Sequence, residues 1–184
     1  MVCKLYVQRC HFRQVRWGPR CSEHHVALAP NSSSLSNDCF RLPPQDSVTT
    51  LLAIHAAATW ALVGLIWTVQ VVHYPLFAQV GADVFRDYHA RHMLRITFLV
   101  APLMLVEVAT AVLLLIRCAR EPWLLASLVP LLLIWASTWR MQVPLHESLS
   151  NGFDVAVHRK LVASNWWRTG AWSVRGGCLL WGLS

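Results

Sequence analysis

The sequence predicts an all-α integral membrane protein, a four-helix up-down-up-down bundle behind a disordered N-terminal leader. Three observations predict it. Of 184 residues, 55% are hydrophobic and only 14% charged, which is too apolar for an ordinary soluble domain. Four long apolar runs follow residue 50, each with few formal charges and each near the length needed to cross about 30 Å of hydrocarbon. The connections between them are short, which favours antiparallel neighbours.

Residues 1–47 have neither helical nor strand periodicity and end in a Ser- and Pro-rich run, so they read as a disordered polar leader. No apolar stretch suited to a signal peptide follows the basic residues, and a biological start near Val48 is an alternative reading of this segment. Four of the six cysteines lie here, with no CxxC pair. Cys21 beside His24-His25 is the leader's only metal-like grouping.

Residues 48–184 form the membrane domain, with spans expected at about 51–73, 94–117, 122–142 and 160–183. The first is expected to end at His73-Tyr74-Pro75, because proline disfavours helical geometry in the residue before it. Leu76 to about His92 mixes Asp83, Arg86, Asp87 and Arg91 with Phe77, Val84, Phe85 and Tyr88, which predicts a separate amphipathic interfacial helix. The second span holds one charge, Glu107. Pro122 suits the first turn of the third, and Pro130 is expected to kink it. The fourth carries Arg168 and Arg175. Tryptophans in or beside the spans suit headgroup anchoring, and those near Arg168 are also candidates to wall a pocket.

The net charge of +7 divides as six Lys/Arg against three Asp/Glu in residues 1–47 and ten against six in the remainder. That is charge flanking a membrane, without the basic stripe that nucleic-acid binding needs. With the leader discounted, the positive-inside rule puts the first and third loops in the cytoplasm, and in a bacterium the site would be the inner membrane.

Bundle parity brings the first and third loops to one end, gathering His73, His89, His92, His146 and His158 there. His89 and His92, three apart, share a helix face and are the candidate metal pair; the alternative is that no cofactor is bound. Most of the remaining polar chemistry lies between Arg140 and Thr169. Charged residues within spans are expensive and usually face a partner or a wet cavity. Counting helical rise inward from the histidine end puts Glu107 at about 22 Å and Arg168 at about 15 Å, which predicts that the two pair, either as a structural ion pair holding the second and fourth spans together or as the floor of a substrate cavity. Arg175 is expected to reach the far headgroups by snorkelling. The expected catalytic residues are Arg168, Asn165, His146 and His73, with Glu107, Trp166, Trp167 and Gln142 contacting substrate.

Pro144-Leu145-His146 with Leu149, then Asn165-Trp166-Trp167-Arg168-Thr169 opening the last span, resembles the anthrone-oxygenase-like family of small four-helix membrane proteins. The resemblance covers about residues 50–184. It rests on a Pro-Leu-Asn motif and an Asn-x-x-Arg-Thr motif, and this chain departs from the first at His146. The family implies a four-helix membrane fold and, for a minority of members, oxygenation of a polycyclic phenol. Asn165 and Arg168 are the positions that correspond.

Three functions compete. The first is an oxidoreductase or oxygenase acting on a lipophilic phenolic or quinol-like substrate, with Arg168 stabilising an oxyanion and a histidine taking the proton. The second is a haem- or metal-binding bundle, disfavoured for haem because the histidines sit at span ends. The third is a non-enzymatic membrane subunit or assembly factor. No P-loop, GxSxG or HExxH motif is present, and the spans lack the repeated polar faces of a channel.

Overall fold

A computed structural model describes residues 45–118 and 120–184, and these form a four-helix bundle with no strand among them. Residues 45–47 of the expected leader are helical, and its other expectations, disorder and the Cys21–His25 grouping alike, fall outside the described residues.

Helix α1, Gln45–Thr68, starts three residues before the boundary expected at 48 and does not stop at Tyr74-Pro75. It passes through a π-helical turn, Val69–His73, into one further turn, α2, Tyr74–Phe77. The third long element repeats this. Helix α4, Pro122–Ser137, passes through a π turn, Thr138–Gln142, into α5, Val143–Leu149. In both places the residue before a proline donates its N–H five residues back, Tyr74 to the Val69 carbonyl and Val143 to the Thr138 carbonyl. Proline has no N–H and its ring clashes with the carbonyl four residues earlier; the extra residue of a π turn relieves that clash and lets the helix continue.

Helix α3 runs unbroken from Phe85 to Arg117, so the expected separate interfacial helix is instead its first two turns. Met93-Leu94-Arg95 contains no glycine or proline to interrupt it, and Phe85 and His89 are buried against the bundle, which ties this segment down. Pro122 occupies the first turn of α4 as expected. Pro130 lies inside α4 and Pro102 inside α3. The last element, α6, spans Val155–Leu183 behind the turn at Asn151-Gly152, where Gly152 has a φ of 138° that side-chain-bearing residues rarely adopt. Asp154 caps it by accepting from the Ala156 and Val157 amides at 2.7 and 2.9 Å.

The first three long elements, Ser47–Phe77, Phe85–Arg117 and Pro122–Leu149, are long and apolar enough to cross a membrane. Their outward faces are greasy, with Phe98 84% exposed and Leu94, Leu132 and Ile116 exposed beside it. The fourth carries too many polar groups to qualify by composition, and it turns them inward: Asn165, Arg168, Thr169 and Arg175 are all buried. Lipid-facing apolar side chains around a polar interior are what a bilayer solvent requires.

Around the bundle the order is α3, α1, α6, α4. Helices α3 and α4 touch each other far less than the other neighbours do, which leaves the ring open between them. Along its axis the interior alternates. An apolar cluster of Leu52, Leu114, Trp123, Leu124 and Leu179 closes one end; Leu62, Val63, Ile66, Met104, Ile134 and Trp172 fill the middle; Val69, Tyr74, Phe77, Phe85, Leu149 and Leu161 close the histidine end. Polar side chains occupy the two layers between.

Candidate functional site

The deeper polar layer is an ion pair. Glu107 of α3 accepts from Arg175 Nε of α6, both side chains being 1% exposed, and Arg175 Nη1 donates to the Ser127 carbonyl of α4 at 2.6 Å. His55 Nδ1 and Thr110 Oγ1 bond at 2.9 Å alongside. This corrects the expectation that Glu107 pairs with Arg168 and that Arg175 snorkels. The same helical count that put Glu107 at about 22 Å puts Arg175 at about 25 Å, a closer match in depth than Arg168 at about 15 Å. Glu107 does not line the cleft described below; it ties the second and fourth spans together, with Arg175 in place of Arg168.

Arg168 is left in the second polar layer without that partner. It is 9% exposed, donates from Nη1 to Asn165 Oδ1 at 3.0 Å, and its Nε is buried with no hydrogen bond. Among the described residues no carboxylate lies within salt-bridge distance of it. Asn165, one turn earlier on the same face, donates from Nδ2 to Gln70 Oε1 at 2.7 Å, and Gln70 Nε2 donates to the Val162 carbonyl at 3.2 Å. The two amides thus lock α6 to the π turn that extends α1.

Above this lies a chain of polar rings. Tyr74 OH contacts His146 Nε2 at 3.1 Å, and His146 Nδ1 contacts His89 Nε2 at 3.1 Å, the two imidazoles stacking at 5.4 Å. Tyr74 OH also donates to Gln142 Oε1 at 3.4 Å, while Gln142 Nε2 donates to Ser164 Oγ at 2.9 Å. His158 Nε2 donates to the Tyr74 carbonyl at 2.7 Å, fixing the turn that presents the phenol. Both π turns feed this network, one supplying Gln70 and leading into Tyr74, the other supplying Gln142 and leading into His146. π turns concentrate at functional sites because the added residue re-aims the side chains beyond it.

These groups face a cleft of about 580 Å³ at the opening between α3 and α4. Apolar side chains dominate its walls, among them Leu62, Ile66, Val69, Ile96, Val100 and Met104; Tyr74, Gln142, His146 and Arg168 supply polarity. Along α3 it spans Met93 to Leu105, about 18 Å of helical rise. Trp135 also lines it, and its Nε1 is buried without an acceptor. Two buried donors, Arg168 Nε and Trp135 Nε1, therefore lack acceptors in a cleft of this shape.

The structure brings together Arg168, Asn165, His146 and Gln142 of the expected residues and separates the others. His73, next to Tyr74, is turned about 100° away, as successive helical residues are, and its ring lies 5.7 Å from His92 in an outer groove with Asp87 and Arg91. Trp166 and Trp167, 50% and 79% exposed, do not line the cleft; only residues three or four from Arg168 share its face. Trp166 packs edge-on against Trp67 instead. His89 and His92 do not act as a pair: His89 turns to His146, and His92 to His73 and the Phe77 ring, 4.9 Å away. Among the described residues no group of three His, Cys, Asp or Glu is arranged to hold a metal ion.

Four site residues were not anticipated. In the sequence Tyr74 marks a span end, and Gln70 is a single amide in an otherwise apolar run. Ser164 and Trp135 carried no separate signal. A polar amide one turn before His-Tyr-Pro, facing an Asn in another span, is the pattern that identifies the first two.

No family model, no curated protein and no solved structure matches this chain, so the reading of the site rests on its own chemistry.

Proposed function

We propose that the chain binds a lipophilic phenol or quinol-like compound in the cleft between α3 and α4 and prepares it for oxidation. The observation behind this reading is Arg168: a buried cation with no carboxylate partner among the described residues, an unbonded Nε, and a place on an apolar cleft open towards lipid. A buried charge of this kind calls for an anion or an electron-rich oxygen. A phenol has that oxygen, and its rings suit the apolar walls.

The chemistry follows from the side chains. A phenolic O–H placed at Arg168 releases its proton to the Tyr74–His146 pair: the Tyr74 hydroxyl, its proton turned from Gln142 Oε1 to His146 Nε2, passes that proton on as it receives the substrate's. His146 then carries an N–H on each nitrogen, one directed to Tyr74 and the other to His89. Arg168, held by Asn165, stabilises the phenolate. Phenolates give up electrons far more readily than phenols, so this step is the protein's contribution to an oxidation whose acceptor, dioxygen or a quinone, comes from outside. The resemblance to anthrone-oxygenase-like proteins points the same way, and substitution of His for the motif's Asn at 146 supplies the proton acceptor.

The test uses purified protein in detergent with a hydroxyanthrone or a short-chain quinol. Binding should shift the ligand's absorption to that of its anion, and oxidation should be accelerated. Arg168→Gln should lose the anion band while keeping the helical circular-dichroism signal. Neither a spectral shift nor turnover in the unmodified chain would end the proposal; a shift without turnover would reduce it to a binding protein.

A further inference from the structure

A second concavity lies on the outer face where α5 and the π turn before it meet α6, away from the cleft. It is an open groove of about 480 Å³. Met141, Pro144 and Leu145 line one wall; Lys160 and Trp167 lie on the other, and Arg140 completes the lining. Arg140 and Lys160 are both exposed, and among the described residues neither has a carboxylate within salt-bridge distance. Trp167 is the most exposed tryptophan of the described residues.

Depth decides what such a groove meets. Helix α6 has 29 residues, about 43 Å, and outruns a hydrocarbon core of about 30 Å by some 13 Å. Lys160 is one and a half turns into it, and Trp167 is about 10 Å further in. The bond between Gln142 and Ser164 sets the register between the two walls, so Arg140 lies near the level of Trp167, inward of Lys160. The groove therefore runs from the headgroup region to the top of the acyl chains, with a cation near each end and an indole at the depth where tryptophans anchor.

We propose that this groove is a binding site for an anionic phospholipid. Its phosphate sits between Lys160 and Arg140, its headgroup and glycerol pass over Leu145, Pro144 and Met141, and the acyl chains continue inward from Trp167 at the ester level. Basic pockets between membrane helices select anionic headgroups through charge, which zwitterionic phosphatidylcholine cannot match. At roughly fivefold for each interfacial cation, two cations give a preference of about thirtyfold at low ionic strength.

The unmodified chain provides the primary test. It is placed in nanodiscs of phosphatidylcholine containing a minor fraction of acyl-brominated phosphatidylglycerol or, separately, of acyl-brominated phosphatidylcholine. Tryptophan fluorescence should be quenched more by the brominated anionic lipid, and the excess should shrink as salt is raised. The excess should be lost in Arg140→Gln/Lys160→Gln and in Trp167→Phe, whose exposed positions leave the bundle interior untouched. Soluble glycerol 3-phosphate should not relieve it. Equal quenching by the two lipids, an excess that survives the double substitution, or relief by glycerol 3-phosphate would each overturn the proposal.

Discussion

Replacing Glu107 by Leu should be among the most damaging single changes available to the bundle. The substitution roughly conserves volume but removes the anion from a pair whose members are each 1% exposed, leaving Arg175 Nε without its acceptor and its charge uncompensated. Nη2 of Arg175 already lacks a partner, so the guanidinium would keep only its bond to the Ser127 carbonyl. Breaking a buried pair from one side costs about 3–5 kcal/mol, a change of roughly 150- to 4,000-fold in the ratio of folded to unfolded protein. Removing both charges together, in Glu107→Leu/Arg175→Met, should recover most of that loss, because the desolvation cost of both ions disappears with their attraction. The assay is reversible unfolding in mixed micelles against the mole fraction of a denaturing detergent, followed by helical circular dichroism. A cost for Glu107→Leu below about 1 kcal/mol, or a double variant no more stable than the single, would refute the assignment of this pair as a clamp between α3 and α6.

Gly182→Ala should destabilise by about 1–3 kcal/mol in the same assay, because its Cβ would lie 2.5 Å from the Trp123 ring. Gly176→Ala, whose Cβ would meet Trp60 at 3.4 Å, should cost less and serves as the comparison. Asp154→Ala removes the cap of α6 and should lower the unfolding free energy by about 1 kcal/mol. Tyr74→Phe should leave binding of a phenolic ligand largely intact while lowering its turnover by about 10²- to 10⁴-fold, the range for loss of a proton-transfer group; turnover kinetics that stay unchanged would remove Tyr74 and His146 from the relay.

The bundle itself was legible because a bilayer imposes a coarse rule, runs of about 20 apolar residues, that long segments such as 51–72 and 96–116 satisfy plainly. Parity alone brought the histidines to one end. Partner choice inside was harder. Helical rise gives Glu107 its depth and Arg175 nearly the same one, but a late arginine can equally snorkel to the headgroups, and only packing shows that this one turns inward. Faces were the second difficulty. Asn165 and Arg168, one turn apart, share a face and bond, whereas Trp166 and Trp167 between them point outward, because neighbouring residues on a helix diverge by about 100°. The third was the pair of π turns. Proline after Tyr74 reads as a stop, and only the backbone shows that the helix there, like the one before Pro144, adds a residue and continues.

Those two turns make the candidate site sensitive to chain length as well as to chemistry. Each contains one residue beyond what an α-helix would need, and that insertion sets the azimuth of Tyr74 in one case and of His146 in the other. Deleting a single residue from 69–73, even an exposed valine, would rotate everything after it by about 100° and carry the phenol out of reach of the imidazole. Substitutions along the same stretch preserve the spacing. Drift at the exposed positions of these segments, such as Val71 and Val72, is thus far better tolerated than any insertion or deletion, and the distance from Gln70 to Pro75 and from Arg140 to Pro144 is what holds the phenol against the imidazole.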